Sequence, residues 1–122
     1  MKSCLIVDDS KMIRRVAGRI LKDLKFRTEE AENGKEAMDI CKAKMPDAIL
    51  LDWNMPVMDG IEFLKTLRSE KKGTDPVVVF CTAERSVEKI SQAIEAGADE
   101  YIMKPFDSDI VASKFFQAGL IQ

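Results

Sequence analysis

Residues 4–10 read CLIVDDS, four apolar residues followed by two adjacent aspartates and a serine. A continuous apolar run of this length is typical of a strand that is buried on both faces, as in a parallel sheet covered by helices. Apolar side chains then recur at helical spacing over residues 10–24, which predicts an amphipathic helix with Asp9 or Ser10 as its cap. The chain therefore begins with a buried strand, an acidic turn and a helix.

The same alternation of strands and helices continues along the sequence. We predict strands at residues 4–7, 27–31, 48–51, 77–81 and 101–103, and helices at 10–24, after Asn33-Gly34, after Gly60, at 86–96 with Gly97 as the cap, and at 107–118. Five strands alternating with five helices predict an α/β fold of the flavodoxin-like, doubly wound (βα)5 type, with a five-stranded parallel sheet. The second and fifth strands are the least apolar, so we place them at the edges. Right-handed crossovers then give the strand order 2-1-3-4-5, a known order for this architecture.

The length and net charge of the chain limit the classes of protein to which it can belong. The 122 residues fit one domain, spanning residues 1–122. The net charge of −2, from 19 basic and 21 acidic residues, gives no general attraction to nucleic acid or to an anionic membrane, and we expect neither as a partner. No apolar run is long enough to span a bilayer, and the first residues lead directly into a strand, so no signal peptide is expected.

Cysteine and histidine usage limits the possible chemistry. Cys4, Cys41 and Cys81 are an odd number without metal-type spacing, and they fall in apolar strands or on the apolar stripe of a helix. We therefore expect buried, reduced thiols and a cytoplasmic location. The sequence has no histidine, which excludes histidine-based acid–base catalysis and histidine metal ligands. A metal ion would need oxygen ligands, which favours Mg²⁺ or Mn²⁺.

Polar residues occur where four of the strands end. Asp8 and Asp9 follow the first strand, Asp52 the third, Thr82 the fourth and Lys104 the fifth. In a doubly wound sheet, ligands bind beyond the carboxyl ends of the strands where the strand order reverses, here between strands 1 and 3. Each residue taken alone could be a helix cap or a turn residue, but their joint placement predicts one pocket.

The residue types in this pocket suit phosphoryl transfer. Three carboxylates repel one another, and a divalent cation would supply the missing positive charge. Lys104 and the Thr82 hydroxyl can contact phosphoryl oxygens, and a carboxylate can act as the nucleophile of an in-line displacement. The pattern therefore predicts a metal-assisted phosphoryl-transfer site.

Four short motifs identify a family. They are VDDS at residues 7–10, DWNMP at 52–56 with Asp59-Gly60, TAE at 82–84, and Tyr101 with KPF at 104–106. With them the whole chain resembles the response-regulator receiver domains of two-component signalling, and most of all the stand-alone chemotaxis type. The resemblance implies that Asp52 is the phospho-acceptor. It also implies that the donor is a phosphohistidine on a histidine kinase or a histidine phosphotransfer protein, and that the chain catalyses only its own phosphorylation and dephosphorylation and is not otherwise an enzyme.

The metal site and the lifetime of the phosphorylated state are implied by the same resemblance. Asp9, Asp52 and the backbone carbonyl of Asn54 would hold Mg²⁺ (or Mn²⁺), and Asp8 would act mainly through a metal-bound water. Asn54 and Glu84 would influence the attacking water, and we expect self-dephosphorylation in seconds to minutes.

The resemblance further implies a switch. Thr82 and Lys104 would hold the phosphoryl oxygens, and the Lys104–Pro105 peptide would be cis. On phosphorylation Thr82 would move toward the phosphoryl group, and Tyr101 would rotate into the space behind it. That rotation would change a face formed by the fourth helix, the fifth strand and the fifth helix, which binds a downstream protein. The alternative for Tyr101 is an ordinary half-buried strand aromatic.

Two further features lie next to the predicted pocket. Lys11, Arg14 and Arg15 on the first helix are predicted as a basic edge, which is either a docking surface for the kinase or a solvated helix face. Trp53 follows Asp52 directly and is the sole tryptophan, so its fluorescence should report on the site.

Other functions fit parts of the pattern. A flavin-binding protein would need a Ser/Thr/Gly-rich phosphate loop where this chain has Asp8 and Asp9. An aspartate-nucleophile phosphatase usually carries an acidic residue at the position of Asn54, and a receiver without chemistry would lack some of the site residues, all of which are present. Control of a flagellar motor in chemotaxis is the first expectation for the output. A phosphorelay shuttle or a single-domain regulator of the cell cycle or of stress is the alternative.

Overall fold

The computed structural model describes residues 1–83 and 87–122. Within them the strands are β1 (Ser3–Val7), β2 (Arg27–Ala31), β3 (Ala48–Asp52), β4 (Val77–Thr82) and β5 (Glu100–Met103). The α-helices are α1 (Lys11–Asp23), α2 (Gly34–Ala43), α3 (Gly60–Ser69), α4 (Val87–Glu95) and α5 (Ser108–Gln117). None of the helices in these residues is long and apolar enough to cross a membrane.

The strands form one parallel sheet in the order β2-β1-β3-β4-β5, which confirms the predicted order and fold class. β3 is buried along its whole length, whereas four of the five residues of β2 are not, as expected for a central and an edge strand. The register pairs Val7 with Leu51 and Thr82 with Met103. The residues that follow these positions therefore meet at one edge of the sheet.

Two apolar layers cover the two faces of the sheet. Successive residues of β1 alternate between them, because neighbouring side chains of a strand point to opposite faces. Leu5 and Val7 lie in the first layer, to which α2, α3 and α4 contribute, and Cys4 and Ile6 lie in the second layer, with α1 and α5. The sheet is thus covered on both sides, and its carboxyl edge is left for polar residues.

The helix ends follow their sequence signals. Ser10 caps α1, because its hydroxyl oxygen accepts a hydrogen bond from the backbone N–H of Ile13 at 3.3 Å, so that Ser10 rather than Asp9 is the cap. Gly97 follows α4 with a φ of +114°, a conformation that favours glycine, and its N–H donates to a carbonyl of the last turn. The predicted start of this helix at Ser86 lies outside the described residues.

A short element after α3 was not predicted. It is a 3-10 helix at Lys71–Thr74 that joins α3 to β4. The guanidinium of Arg68 holds this connection by donating to the carbonyls of Gly73 and Pro76 at 2.9 and 2.8 Å. Because the segment is polar and is fixed by an arginine of the preceding helix, no apolar periodicity could have indicated it.

The three cysteines are buried and free, as predicted. Burial raises the pKa of Cys4 and Cys81 to about 12 and that of Cys41 to about 11. All three are therefore thiols rather than thiolates at neutral pH.

A substitution at Gly60 tests how closely α3 approaches the end of β3. A Cβ at Gly60 would overlap the backbone carbonyl oxygen of Asp52 and lie 2.9 Å from Cζ of Phe80, neither of which can move freely. We expect Gly60→Ala to lower the free energy of unfolding by at least about 2 kcal/mol in a urea titration, because overpacking costs this much in a close-packed core.

The matched control is Gly18→Ala on α1. There the added Cβ would meet Cδ1 of Ile6 at 3.8 Å, an ordinary contact. Because alanine favours helix over glycine by about 1 kcal/mol, this variant should be as stable as the wild type or more stable. Equal losses of stability in the two variants would contradict the steric explanation.

Candidate functional site

Three carboxylates lie together at the carboxyl edge of the sheet. One oxygen each from Asp8, Asp9 and Asp52 lies within 4.8 Å of the other two. The pairing of Val7 with Leu51 explains this, because it places the next residues of β1 and β3 side by side. Asp8 and Asp52 are buried, whereas Asp9 is exposed. The cluster therefore has two oxygen donors inside the protein and one at its surface.

The ammonium group of Lys104 contacts two of these carboxylates. Its Nζ donates to Oδ2 of Asp8 at 2.9 Å and to Oδ1 of Asp52 at 2.8 Å. The backbone N–H of Lys104 donates to the carbonyl of Thr82 at 2.9 Å, and the peptide between Lys104 and Pro105 is cis. The loop after β5 thus brings the lysine side chain to the ends of β1 and β3.

The site has more negative than positive groups, and the pKa values of Asp52 and Lys104 are both shifted. Burial raises the pKa of Asp52, the hydrogen bond from Lys104 opposes this, and the charge of Asp8 adds to it. Burial lowers the pKa of Lys104, but its hydrogen bonds to Asp52 and Asp8 outweigh burial and leave the pKa above its ordinary value. The two directions have different main causes, since burial raises the pKa of Asp52, whereas the two carboxylates that it faces raise the pKa of Lys104. One ammonium faces two buried carboxylates, which leaves negative charge in excess.

This donor set fits a hard divalent cation. Mg²⁺ prefers carboxylate and carbonyl oxygens together with water, and it usually binds through one or two carboxylates. The cluster offers carboxylate oxygens at a suitable spacing, one of them open to solvent, and an excess of negative charge for the ion to neutralise. The residues of the pocket therefore suit the ion that was expected from the sequence.

The other expected site residues differ in where they lie. Thr82 is the buried last residue of β4, and Asn54 is exposed in the loop after β3. Glu84 lies outside the described residues. Tyr101 on β5 pairs with Phe80, two residues before Thr82, so Tyr101 and Thr82 are diagonal neighbours on the same face of the sheet.

The prediction of a basic edge on α1 is wrong for one of its three residues. Lys11 and Arg15 are exposed, but Arg14 is 7 % exposed and faces the sheet. It occupies the same stripe as Ala17, Gly18 and Leu21, which are the other buried residues of α1. The spacing of 14, 17, 18 and 21 is helical, so the pattern contained the signal that Arg14 points inward.

Two lysines near aromatic rings were missed by the sequence analysis. Nζ of Lys89 lies 5.0 Å from the ring centroid of Trp53, and Nζ of Lys114 lies 4.7 Å from that of Tyr101. Lys114 also pairs with Glu100 at 3.1 Å. These contacts join α4 and α5 to the two aromatic residues, and they depend on the packing of distant elements, which the sequence spacing does not encode.

Comparison with known proteins identifies the family. A family model described as "Response regulator receiver domain" matches residues 4–115. Chemotaxis protein CheY-3 of Vibrio cholerae is 40% identical over 111 residues, which cover 90% of this chain and 85% of that protein. Chemotaxis protein CheY of Halobacterium salinarum is 38% identical over 110 residues, which cover 90% of each. The solved structure of the chemotaxis response regulator CheY4 of Vibrio cholerae has a TM-score of 0.91 at 32% identity, covering 97% of this chain and 98% of that one. The family model and both relatives span most of the chain, and so the chain belongs to the response regulator receiver domains of two-component signalling.

Proposed function

We propose that this chain is the phospho-acceptor of a two-component phosphorelay, in which Asp52 is phosphorylated with the help of Mg²⁺. The observation that carries the proposal is that the carboxylates of Asp8, Asp9 and Asp52 lie together, with Nζ of Lys104 2.8 Å from Oδ1 of Asp52. A carboxylate nucleophile, oxygen ligands for a metal and a mobile cation are the parts that in-line phosphoryl transfer needs.

We propose that the transfer uses these groups in the following way. A carboxylate oxygen of Asp52 attacks the phosphorus of a phosphohistidine, and the phosphorus–nitrogen bond breaks with its electron pair returning to the imidazole of the donor. Lys104 turns from the carboxylate to a phosphoryl oxygen, and the hydroxyl of Thr82 donates to another. Asp9, Asp52 and the backbone carbonyl of Asn54 would hold Mg²⁺, with Asp8 acting through a water, and the bound ion would supply positive charge to the phosphoryl oxygens. The chain acts only on its own acyl phosphate, with Asn54 and Glu84 setting a lifetime of seconds to minutes.

Fluorescence and labelling test the acceptor. Trp53 follows Asp52 and packs on Phe80 with ring centroids 5.1 Å apart, so it should sense both metal and phosphoryl group. We expect the wild type to respond to Mg²⁺ and then to beryllofluoride, and to be labelled by acetyl phosphate. Asp52→Ala should lose the response to beryllofluoride and the label, while Asp39→Asn, at an exposed position of α2, should keep both. Label on Asp52→Ala would contradict the assignment.

The pH dependence of stability tests the charge excess in metal-free protein. Because the pKa of Asp52 is raised in the folded state above its ordinary value of 3.8, the folded chain binds a proton that the unfolded chain has released. This contribution favours folding below the unfolded pKa and is lost as the pH rises through the raised folded pKa.

We therefore expect Asp52→Asn, measured by urea unfolding in EDTA, to be more stable than the wild type at pH 7. The difference should shrink as the pH falls toward about 4, the ordinary range of an aspartate. A wild type that is the more stable protein at pH 7, or a difference that does not change with pH, would show that Lys104 fully offsets the buried charge.

The exposed face of α1 is the surface we assign to the phosphohistidine donor. It presents Lys11 and Arg15 beside two apolar side chains, Met12 and Val16, which are 74 % and 44 % exposed. Exposed apolar side chains among like charges are typical of a protein-binding surface, and the positive charge suits an acidic partner.

Charge reversal at Arg15 tests this assignment. We expect Arg15→Glu to slow phosphorylation by the purified donor protein about tenfold, since reversing a charge at an interface reduces association. Phosphorylation by acetyl phosphate, which needs no docking, should be unchanged. An equal loss with both donors would mean that the substitution damages the acceptor site instead.

The output face is proposed to comprise α4, β5 and α5. Its support is the neighbourhood of Thr82 and Tyr101 on one face of the sheet, and the exposed apolar side chains of Val87 on α4 and Phe116 on α5. A downstream protein that binds there would sense the position of Tyr101. The names of the relatives favour chemotaxis as the pathway, and a phosphorelay shuttle remains the alternative.

A further inference from the structure

Arg14 is a buried arginine on α1 that the proposed phosphoryl transfer does not use. A buried guanidinium is costly unless it is paired and hydrogen-bonded, so its contacts show what its presence supports. Nη1 donates to the backbone carbonyl of Asp8 at 2.7 Å, and Nε donates to Oε1 of Glu30 at 2.9 Å. Nη2 lies 3.7 Å from Oε1 of Glu32. The planar group thus joins the end of β1 to the acidic end of β2.

The carbonyl that Arg14 holds belongs to the peptide between Asp8 and Asp9. The remaining polar atoms of Asp8 are held as well: its N–H donates to Ala31 at 3.1 Å, Oδ1 accepts from the N–H of Ser10 at 2.9 Å, and Oδ2 accepts from Lys104. Asp9 itself is exposed. The orientation of the Asp8–Asp9 peptide therefore determines where the side chain of Asp9 starts and which way its carboxylate can point.

We propose that Arg14 is a positioning residue for the metal site, whose guanidinium fixes the Asp8–Asp9 peptide so that the carboxylate of Asp9 stays in place to bind Mg²⁺. Glu30 and Glu32 hold the guanidinium and offset its charge near a site that must attract a cation. The inference rests on the proposed function, because it assumes that Asp9 and Asp52 bind the metal.

A lysine at this position could not perform the same task. The arginine donates in two directions at once, to a carbonyl at the end of β1 and to a carboxylate on β2. Its rigid, planar fork makes both bonds possible, whereas an ammonium at the end of a flexible chain is a point charge. Replacing Arg14 by lysine can therefore separate the effect of its charge from the effect of its positioning of the peptide.

The experiment measures the dissociation constant of Mg²⁺ from the fluorescence of Trp53 in the full chain. Arg14→Gln removes a positive charge near the site, so Coulomb attraction alone would make Mg²⁺ bind more tightly. Positioning predicts the opposite, a dissociation constant raised roughly tenfold, as is usual when a residue that orients a metal ligand is replaced. Arg14→Lys keeps the charge and should show a similar increase, and it remains informative if Arg14→Gln fails to fold.

Arg19→Gln is the matched control, because Arg19 is an exposed arginine of the same helix. It should leave the dissociation constant within about twofold of the wild type, as a distant screened surface charge does. At saturating Mg²⁺ the rate of phosphorylation by acetyl phosphate should recover in Arg14→Lys, since only the affinity for the metal has changed.

The outcomes separate this inference from the proposed function. A folded Arg14→Lys or Arg14→Gln that loses stability but binds Mg²⁺ like the wild type would reduce Arg14 to a structural role and overturn the inference. A wild type that is not labelled on Asp52 by acetyl phosphate would instead overturn the proposed function.

Discussion

The excess of negative charge at the carboxyl edge of the sheet is the constraint on which the rest of the site depends. Asp8 and Asp52 are buried close together because the register of β1 and β3 places the ends of the two strands side by side, and Lys104 supplies one positive charge for both. Like charges this close together disfavour full ionisation, and a further cation would relieve that cost. The fold therefore creates a demand for positive charge at the place where a metal ion and a phosphoryl group would meet.

The backbone around this cluster is closely packed and held by hydrogen bonds. α3 begins against the carbonyl of Asp52, where only a glycine fits, and the N–H of Gly60 donates to the carbonyl of Trp53 at 2.9 Å. On the other side, Arg14 ties the end of β1 to β2. The acidic residues thus stand on fixed elements on both sides, which keeps functional groups in place better than a loose loop would.

The sequence was sufficient for the architecture and for the convergence of the strand ends, because both follow from short-range patterns. Apolar runs mark the buried strands, and the polar residues after them must meet once the strands are parallel. It was insufficient where a side chain depends on distant packing. The inward direction of Arg14 was overlooked because its charge suggested solvent, although its helical spacing with Leu21 indicated burial. The contacts of Lys89 with Trp53 and of Lys114 with Tyr101 could not be predicted, since each joins elements whose relative position only the folded chain defines.

The buried cysteines can report when each apolar layer of the molecule opens. Cys41 belongs to the first apolar layer, and Cys4 and Cys81 belong to the second. An alkylating reagent attacks thiolates, and the raised pKa values together with burial protect all three while the layers stay closed. Modification in native buffer must therefore wait for an opening event. Mass spectrometry of partially alkylated protein would show whether the two sides of the sheet come apart together or in sequence.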